Sequence, residues 1–365
     1  MLSTSSSQND ASTTFPSRAQ VVIVGGGVVG CSVAYHLTKR GWTDVVLVER
    51  KELTSGTTWH AAGLVTLARP THGTRELVKH SLEVFTSLEE ETGLGTGFRR
   101  TGTMHLATNA DRWEELRRQY SAALGSQLEV EIIDADRALE LFPLLDPSGI
   151  VGGLHYPMDG RGNATDTTMS LAKGARLGGA RIFENTTVSK VERRGDRIVG
   201  LDTERGFIEA EFVVNCTGMW GREFGAMADV KLPLQAMAHY YIVTDEIPGM
   251  PRDMPTIKSS DEWSYVKDDA GNLLVGFFEP GSYPWASRGI PADAEFTTLP
   301  EDWEHLGSFY EQMTRRIPVL KDTGIRLHFC GPESFTPDGF FHFGEVPGVT
   351  NYYAACGFNS IGFLT

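Results

Sequence analysis

The sequence predicts an α/β fold: a doubly wound, Rossmann-like domain joined to a second domain built on a mixed, mainly antiparallel sheet. Three observations carry this. Between Val21 and Arg50 a β-branched run, a glycine cluster, a helical stripe and a second apolar run follow one another, the order of a compact parallel crossover unit. Residues 180–216 alternate apolar and polar side chains around Gly-containing turns, as antiparallel strands do. A further strand-rich stretch, with AHYYIVT, WSYVK and NLLVGFF, lies within 233–280.

Taken in order, residues 1–18 are rich in Ser and Thr, with one Arg and no apolar segment. They are expected to form a disordered tail rather than a secretory or transit signal. Val21 to Val24 predicts the first strand. Val29, Val33 and Leu37 then mark one face of a helix, and Gly41 after Lys39 and Arg40 stops it. Asp44 to Arg50 (DVVLVER) predicts the second strand. Residues 51–73 are loop-like. Helices are expected over Thr74–Glu91, 110–124 and Thr165–Leu177, and a strand over Gly97–Thr108. Strands fill Ala180 to Gly200, and Arg194-Gly195-Asp196 and Glu204-Arg205-Gly206 turn hairpins. Phe212–Cys216 is a buried strand ending at Thr217-Gly218. Residues 280–300, with Pro280, Pro284, Pro291 and Pro300, are loop-rich, and Tyr352–Ala355 is a last strand.

With 365 residues, 41% apolar and 22% charged, the chain can bury a sizeable core. Its net charge of −14 argues against a nucleic-acid or anionic-membrane surface, which needs clustered cations. No apolar run approaches the roughly 20 residues of a membrane span. The cytoplasm is the default location. Cys31, Cys216, Cys330 and Cys356 are far apart without a C-x-x-C pair, and the histidines show no ligand spacing, so no metal is expected. Cys31 and Cys216 sit in apolar runs, as buried thiols do.

The glycine cluster reads G-x-G-x-x-G at Gly25, Gly27 and Gly30. One glycine permits a tight turn, one lets the backbone approach a pyrophosphate, and one lets helix and strand pack closely. The phosphates then meet free N–H groups at the helix N-terminus. Glu49, about 20 residues after Gly30 at the end of the second strand, suits the adenosine ribose hydroxyls. This motif alone leaves NAD and FAD open.

The segment TSGTTWHAAGL, from Thr54 to Leu64, goes further. Together with VVIVGGGVVG, LFPLL, GGLHYPMDG, VVNCTGMWGREFG, GPESFTPDG and AACGFNSIG, it resembles the dimethylglycine and sarcosine dehydrogenase family, a branch of the FAD-dependent amine and D-amino-acid oxidoreductases. The resemblance runs from about residue 20 to the end. It implies FAD as cofactor, joined covalently through His60 to the flavin 8α carbon, a bond that suits the nucleophilic imidazole. It implies cofactor contacts at Gly25, Gly27, Gly30, Glu49, Thr57, His60, Gly63, Leu64, Val188, Gly218, Gly357, Asn359 and Ser360. It places His239 and Tyr265 over the flavin as the groups that position a substrate amine and control its protonation. Both residue types also suit a half-buried sheet.

The implied reaction is oxidative N-demethylation of a small methylated glycine, sarcosine or dimethylglycine, with oxygen or an electron-transfer protein as acceptor. Another secondary or tertiary amino acid on the same scaffold, or a regulatory relative without turnover, are the alternatives. Family members continue past GFNSIG into a turn and a helix, and commonly carry a folate-binding, aminomethyltransferase-like domain. These lie outside the 365 residues, so the chain is expected to be a C-terminally shortened form. The flavin domain is expected from 19–95, 155–232 and 325–365, and the substrate domain from 96–154 and 233–324. Asp159, in the PMDG turn, is expected as a turn former. Arg69 is either a partner for a substrate carboxylate or a solvated surface group.

Overall fold

A computed structural model of the chain describes residues 14–365. The Arg18–Val24 strand sits at the centre of an eight-stranded sheet. On one side it pairs in parallel with Val45–Val48 and, beyond that, Arg181–Phe183; on the other it pairs with Gly206–Asn215 and then Tyr352–Cys356. The central strand reads as a continuous apolar run because both of its faces are buried. Val21 and Ile23 point into one core, with the Val28–Lys39, His72–Thr92 and Ala164–Leu177 helices. Val22 and Val24 point into another, covered by the Val188–Arg194 and Arg197–Thr203 hairpin and the short Gly221–Met227 helix.

The second sheet also has eight strands. Its order is Ile325–Phe335, Gln235–Thr244, Asn272–Phe277, Ser264–Asp269, Thr256–Ser259, Thr103–Ala107, Gly152–Tyr156 and Glu131–Ile133. Every pairing is antiparallel except Thr256–Ser259 with Thr103–Ala107. The mixed, mainly antiparallel character is therefore as expected. The boundaries differ at two places. Ile325–Phe335 pairs along its length with Gln235–Thr244, so the start of 325–365 lies in the second sheet. Gly152–Tyr156 belongs there too, so the boundary expected after residue 154 falls inside that strand.

The three expected helices form, over His72–Thr92, Ala110–Gly125 and Ala164–Leu177, and the hairpins turn at Gly195 and Gly206 as expected. The strand expected from Gly97 begins only at Thr103, because Gly97 and Gly102 both adopt positive φ, +64° and +79°. Three helices escape the periodicity reading, the short Gly221–Met227 and, with side-chain caps, Ala135–Leu141 and Trp303–Arg316. The signal of the latter two is the cap: Asp134 accepts from the Arg137 N–H at 2.8 Å, and Asp302 from the His305 N–H at 2.9 Å. The expected tail falls mostly on residues 1–13, outside the described ones. Within 14–18 it does not hold, because the Phe15 ring packs edge-on to Phe183 at 5.1 Å and Arg18 already starts the central strand. No helix among the described residues is long and apolar enough to cross a membrane.

Candidate active site

The glycine cluster closes the turn between the central strand and its helix, for reasons that differ at each position. Gly25 adopts φ +112°, and a Cβ there would lie 2.4 Å from the Cys216 carbonyl oxygen. At Gly30 a Cβ would lie 1.9 Å from the Gly25 oxygen, so only glycine lets helix and turn meet. Gly27 has an ordinary φ of −76°. What it supplies is space: a Cβ would meet only the Thr58 hydroxyl, at 3.1 Å. That hydroxyl, absent from the sequence reading, accepts from the Val28 N–H at 3.0 Å and so caps the helix from another loop.

Glu49 directly follows the second strand, Val45–Val48. Its carboxylate accepts from the Gly26 N–H at 2.6 Å and the Lys51 N–H at 2.9 Å. Burial pushes its pKa up, opposed by those two donors. A carboxylate offers about four lone-pair sites, so acceptor capacity remains. Gly25, Gly27, Glu49, Thr57, Val188 and Gly218 line one cavity of about 270 Å³. A Cβ added at Gly218 would meet nothing within 4 Å.

A second cavity, of about 290 Å³, opens between the first sheet's loops and the second sheet. His60, Gly63, Leu64, His239, Tyr265, Asn359 and Ser360 line it. Ala61, Glu333, Asn359, Ser360 and Phe363 line both cavities, which therefore adjoin. Gly63 stands at φ +74°, its carbonyl accepting from the Gly162 N–H at 2.8 Å, and this turns Leu64 into a short pairing with Arg161. Gly357 lines neither cavity. At φ +74° it shapes the turn before Asn359, whose side-chain NH₂ donates to the Gly357 carbonyl at 2.8 Å.

His239 lies on Gln235–Thr244 with its ring 5.0 Å from that of Phe278. Tyr265 lies on Ser264–Asp269, its ring stretched across Gly276, where a Cβ would come within 1.9 Å of Cζ. The phenol pKa is raised, first by burial and then by the charge of Glu333. His60 occupies the short helical turn Thr58–His60, and burial lowers its pKa. Its Nε2 is buried without a hydrogen-bond partner.

At one end of this chamber stands a group of charges, of which Lys258 carries no signal in the sequence. Asp159 is more than a turn former. It is 0% exposed, accepts from the Leu67 N–H at 2.8 Å and from the Thr103 hydroxyl, and burial pushes its pKa up to about 7. Arg69 is half-buried rather than solvated, its charge desolvated, and it donates to the Thr66 carbonyl at 3.1 Å. Lys258 lines the chamber beside it, and burial, with Arg69 nearby, lowers its pKa to about 7. His105 is buried against both cations, and its Nε2 has no partner.

The family profile described as FAD dependent oxidoreductase, DAO, matches residues 20–365. The chain belongs to the DAO family of FAD-dependent oxidoreductases. It is 39% identical to 4-methylaminobutanoate oxidase (formaldehyde-forming) of Paenarthrobacter nicotinovorans, over 96% of this chain and 42% of that one. To the mitochondrial sarcosine dehydrogenase of Homo sapiens it is 38% identical, over 96% of this chain and 38% of that one. The chain thus spans about two fifths of the length of these relatives. L-proline dehydrogenase from P. horikoshii has the same fold, with a TM-score of 0.85 and 26% identity over 96% of this chain and 90% of that one.

The residues present fit the family's cofactor. Gly27 and Gly218 leave side-chain space free in the first cavity, as close approach of a pyrophosphate requires. The adjoining second cavity, with an unpartnered buried imidazole nitrogen at His60, extends that space toward the second sheet.

Proposed function

We propose that this DAO-family chain oxidises an N-methylated amino acid, with sarcosine and dimethylglycine as the expected substrates and FAD held covalently through His60. When bound, FAD accepts the hydride lost from the N-methyl carbon. The single observation behind the substrate class is the pair of cations, Arg69 and Lys258, in the chamber that also holds His239 and Tyr265. Among the described residues neither cation has a carboxylate within ion-pair distance. Asp159, the nearest acid by its effect on both, has its oxygens directed to Leu67 and Thr103. Two desolvated cations without a counter-charge are costly, and a substrate carboxylate offsets that cost.

The chain's own groups then divide the work. Arg69 and Lys258 anchor the carboxylate, which sends the amine toward His239 and Tyr265. Hydride loss needs a nitrogen with a free lone pair, so the amine must shed its proton. The His239 imidazole accepts it, and the Tyr265 phenol, kept protonated by burial, donates a hydrogen bond that orients the nitrogen. Phe278, Phe329 and Tyr241 wall the chamber and exclude water from the reacting carbon. After hydride transfer, water adds to the iminium carbon, and the products are the demethylated amine and formaldehyde. Oxygen or an electron-transfer protein is the expected final acceptor.

Purified protein is mixed anaerobically with a panel of N-methylated amino acids and with methylamines that lack a carboxylate. The expected result is bleaching of the flavin by the amino acids alone. A yellow protein that none of them bleaches sinks this reading and favours a flavin-binding relative without turnover.

A further inference from the structure

His60 is held by four neighbours. Trp59 meets its ring edge-on at 5.3 Å, and Phe329 lies tilted at 5.1 Å. Gly331 leaves just enough room, since a Cβ there would lie 3.1 Å from His60 Cε1. The fourth is Glu333, on the Ile325–Phe335 strand. One of its carboxylate oxygens stands 3.9 Å from His60 Nδ1, and the other accepts from the Ser360 hydroxyl. The Glu333 side chain is only 13% exposed and borders both cavities. A carboxylate in such a place is seldom idle, because desolvation is unfavourable unless a partner offsets it.

The arrangement distinguishes the two imidazole nitrogens. A carboxylate is an acceptor only, so it favours the tautomer with the proton on Nδ1. The lone pair is then on Nε2, the nitrogen that is buried without a partner. Burial keeps the ring neutral near neutral pH, which preserves that lone pair. The other ionisable groups around the pair are His239 and Tyr241 on Gln235–Thr244 and Tyr265 on Ser264–Asp269.

We propose that Glu333, held by Ser360, is the positioning residue for flavin attachment: it fixes the Nδ1–H tautomer of His60, aims Nε2 at the flavin 8α carbon, and takes the Nδ1 proton as the bond forms. This rests on the covalent role assigned to His60 above. The step balances. An Nε2–C8α bond forms, and a C–H bond of the 8α methyl group breaks. The methyl proton and the Nδ1 proton are released, and two electrons pass through the ring system to dioxygen, giving hydrogen peroxide.

The test uses the full chain purified without flavin from riboflavin-starved cells and then mixed with FAD in air. Flavin that stays with the denatured polypeptide is followed with time and pH, for the parent, Glu333→Gln, Glu333→Asp and Ser360→Ala. Attachment is expected to slow by at least about tenfold in Glu333→Gln, with Glu333→Asp restoring part of it. Ser360→Ala slows it less, and Glu333→Gln and Glu333→Asp still take up FAD reversibly. Independently of flavin, the His60 Cε1–H resonance should titrate at lower pH in Glu333→Gln, because the carboxylate favours the charged ring. Attachment at the parental rate in Glu333→Gln, or an unmoved His60 titration, overturns the role of Glu333 and leaves the His60 linkage standing. A parent that never retains flavin overturns both.

Discussion

Replacing Lys258 by Met keeps an unbranched stem in the chamber and removes the ammonium. If Lys258 and Arg69 anchor a carboxylate, the variant loses one charge-assisted hydrogen bond, worth about 1.5–3 kcal/mol. That corresponds to a roughly 10- to 150-fold weaker affinity. The effect depends on pH with a definite sign. Lys258 titrates at about 7 in the fold, so its ammonium is present at lower pH and disappears as the pH rises through that value. Affinity for an anion in the parent should therefore fall as the pH increases, while Lys258→Met binds weakly and evenly throughout. Arg69 remains cationic at every pH used and accounts for the residual binding. Acetate is the suitable probe, since it has a carboxylate but no amine to titrate. Its binding is read from the perturbed flavin spectrum between about pH 6 and about pH 9. With sarcosine, the loss should appear in the concentration needed for half-maximal flavin reduction, with the limiting rate nearly unchanged. Equal acetate affinity for variant and parent near pH 6 would refute the anchoring argument.

Gly30→Ala and Gly27→Val should both yield protein without flavin, for separable reasons. The first places a methyl 1.9 Å from the Gly25 oxygen and should also lower the melting temperature. The second leaves an unstrained backbone and only fills cavity space, so its melting temperature should stay close to that of flavin-free parent. A flavin-loaded Gly27→Val contradicts the cradle. His239→Gln and Tyr265→Phe should keep the flavin and slow its reduction by sarcosine by roughly 10²-fold or more, with an altered pH profile; parental rates in both would make these residues structural. Asp159→Asn tests the buried charge. Asp159 stays protonated in the fold up to about pH 7, whereas in the unfolded chain it ionises near pH 4. Its contribution to stability is therefore complete below about pH 4 and is lost as the pH rises through about 7. Relative to the parent, Asp159→Asn should become more stable across that same window in urea unfolding. A difference that does not change with pH rules the assignment out.

The parts of the site legible in the sequence are those whose physics is local. A turn that must pass phosphates over a strand end needs glycine at short, fixed spacings, and the acid that follows needs only the next strand. Gly25, Gly27, Gly30 and Glu49 lie within one crossover unit, so pattern alone located them. His60, His239 and Tyr265 were a different case. Each residue type suits ordinary packing, and only resemblance to a family singled them out; the structure brings all three to one chamber.

What the tertiary structure alone decided is charge and solvation. Asp159 follows a turn, and its sequence neighbourhood describes a turn former. Its burial comes from Leu67 and Thr103, delivered by other segments of the chain. Arg69 and Lys258 are ordinary in sequence, on a loop and on a short strand; desolvation in the fold lowers both pKa values, and at Lys258 the charge of Arg69 adds to it. Glu333 faces His60 only because Ile325–Phe335 crosses to the second sheet and pairs with Gln235–Thr244. Residue type and spacing determine what a side chain can do. Which partner it meets, and how far from water, depends on contacts between segments remote in the chain, and electrostatic energies change severalfold with that distance and burial.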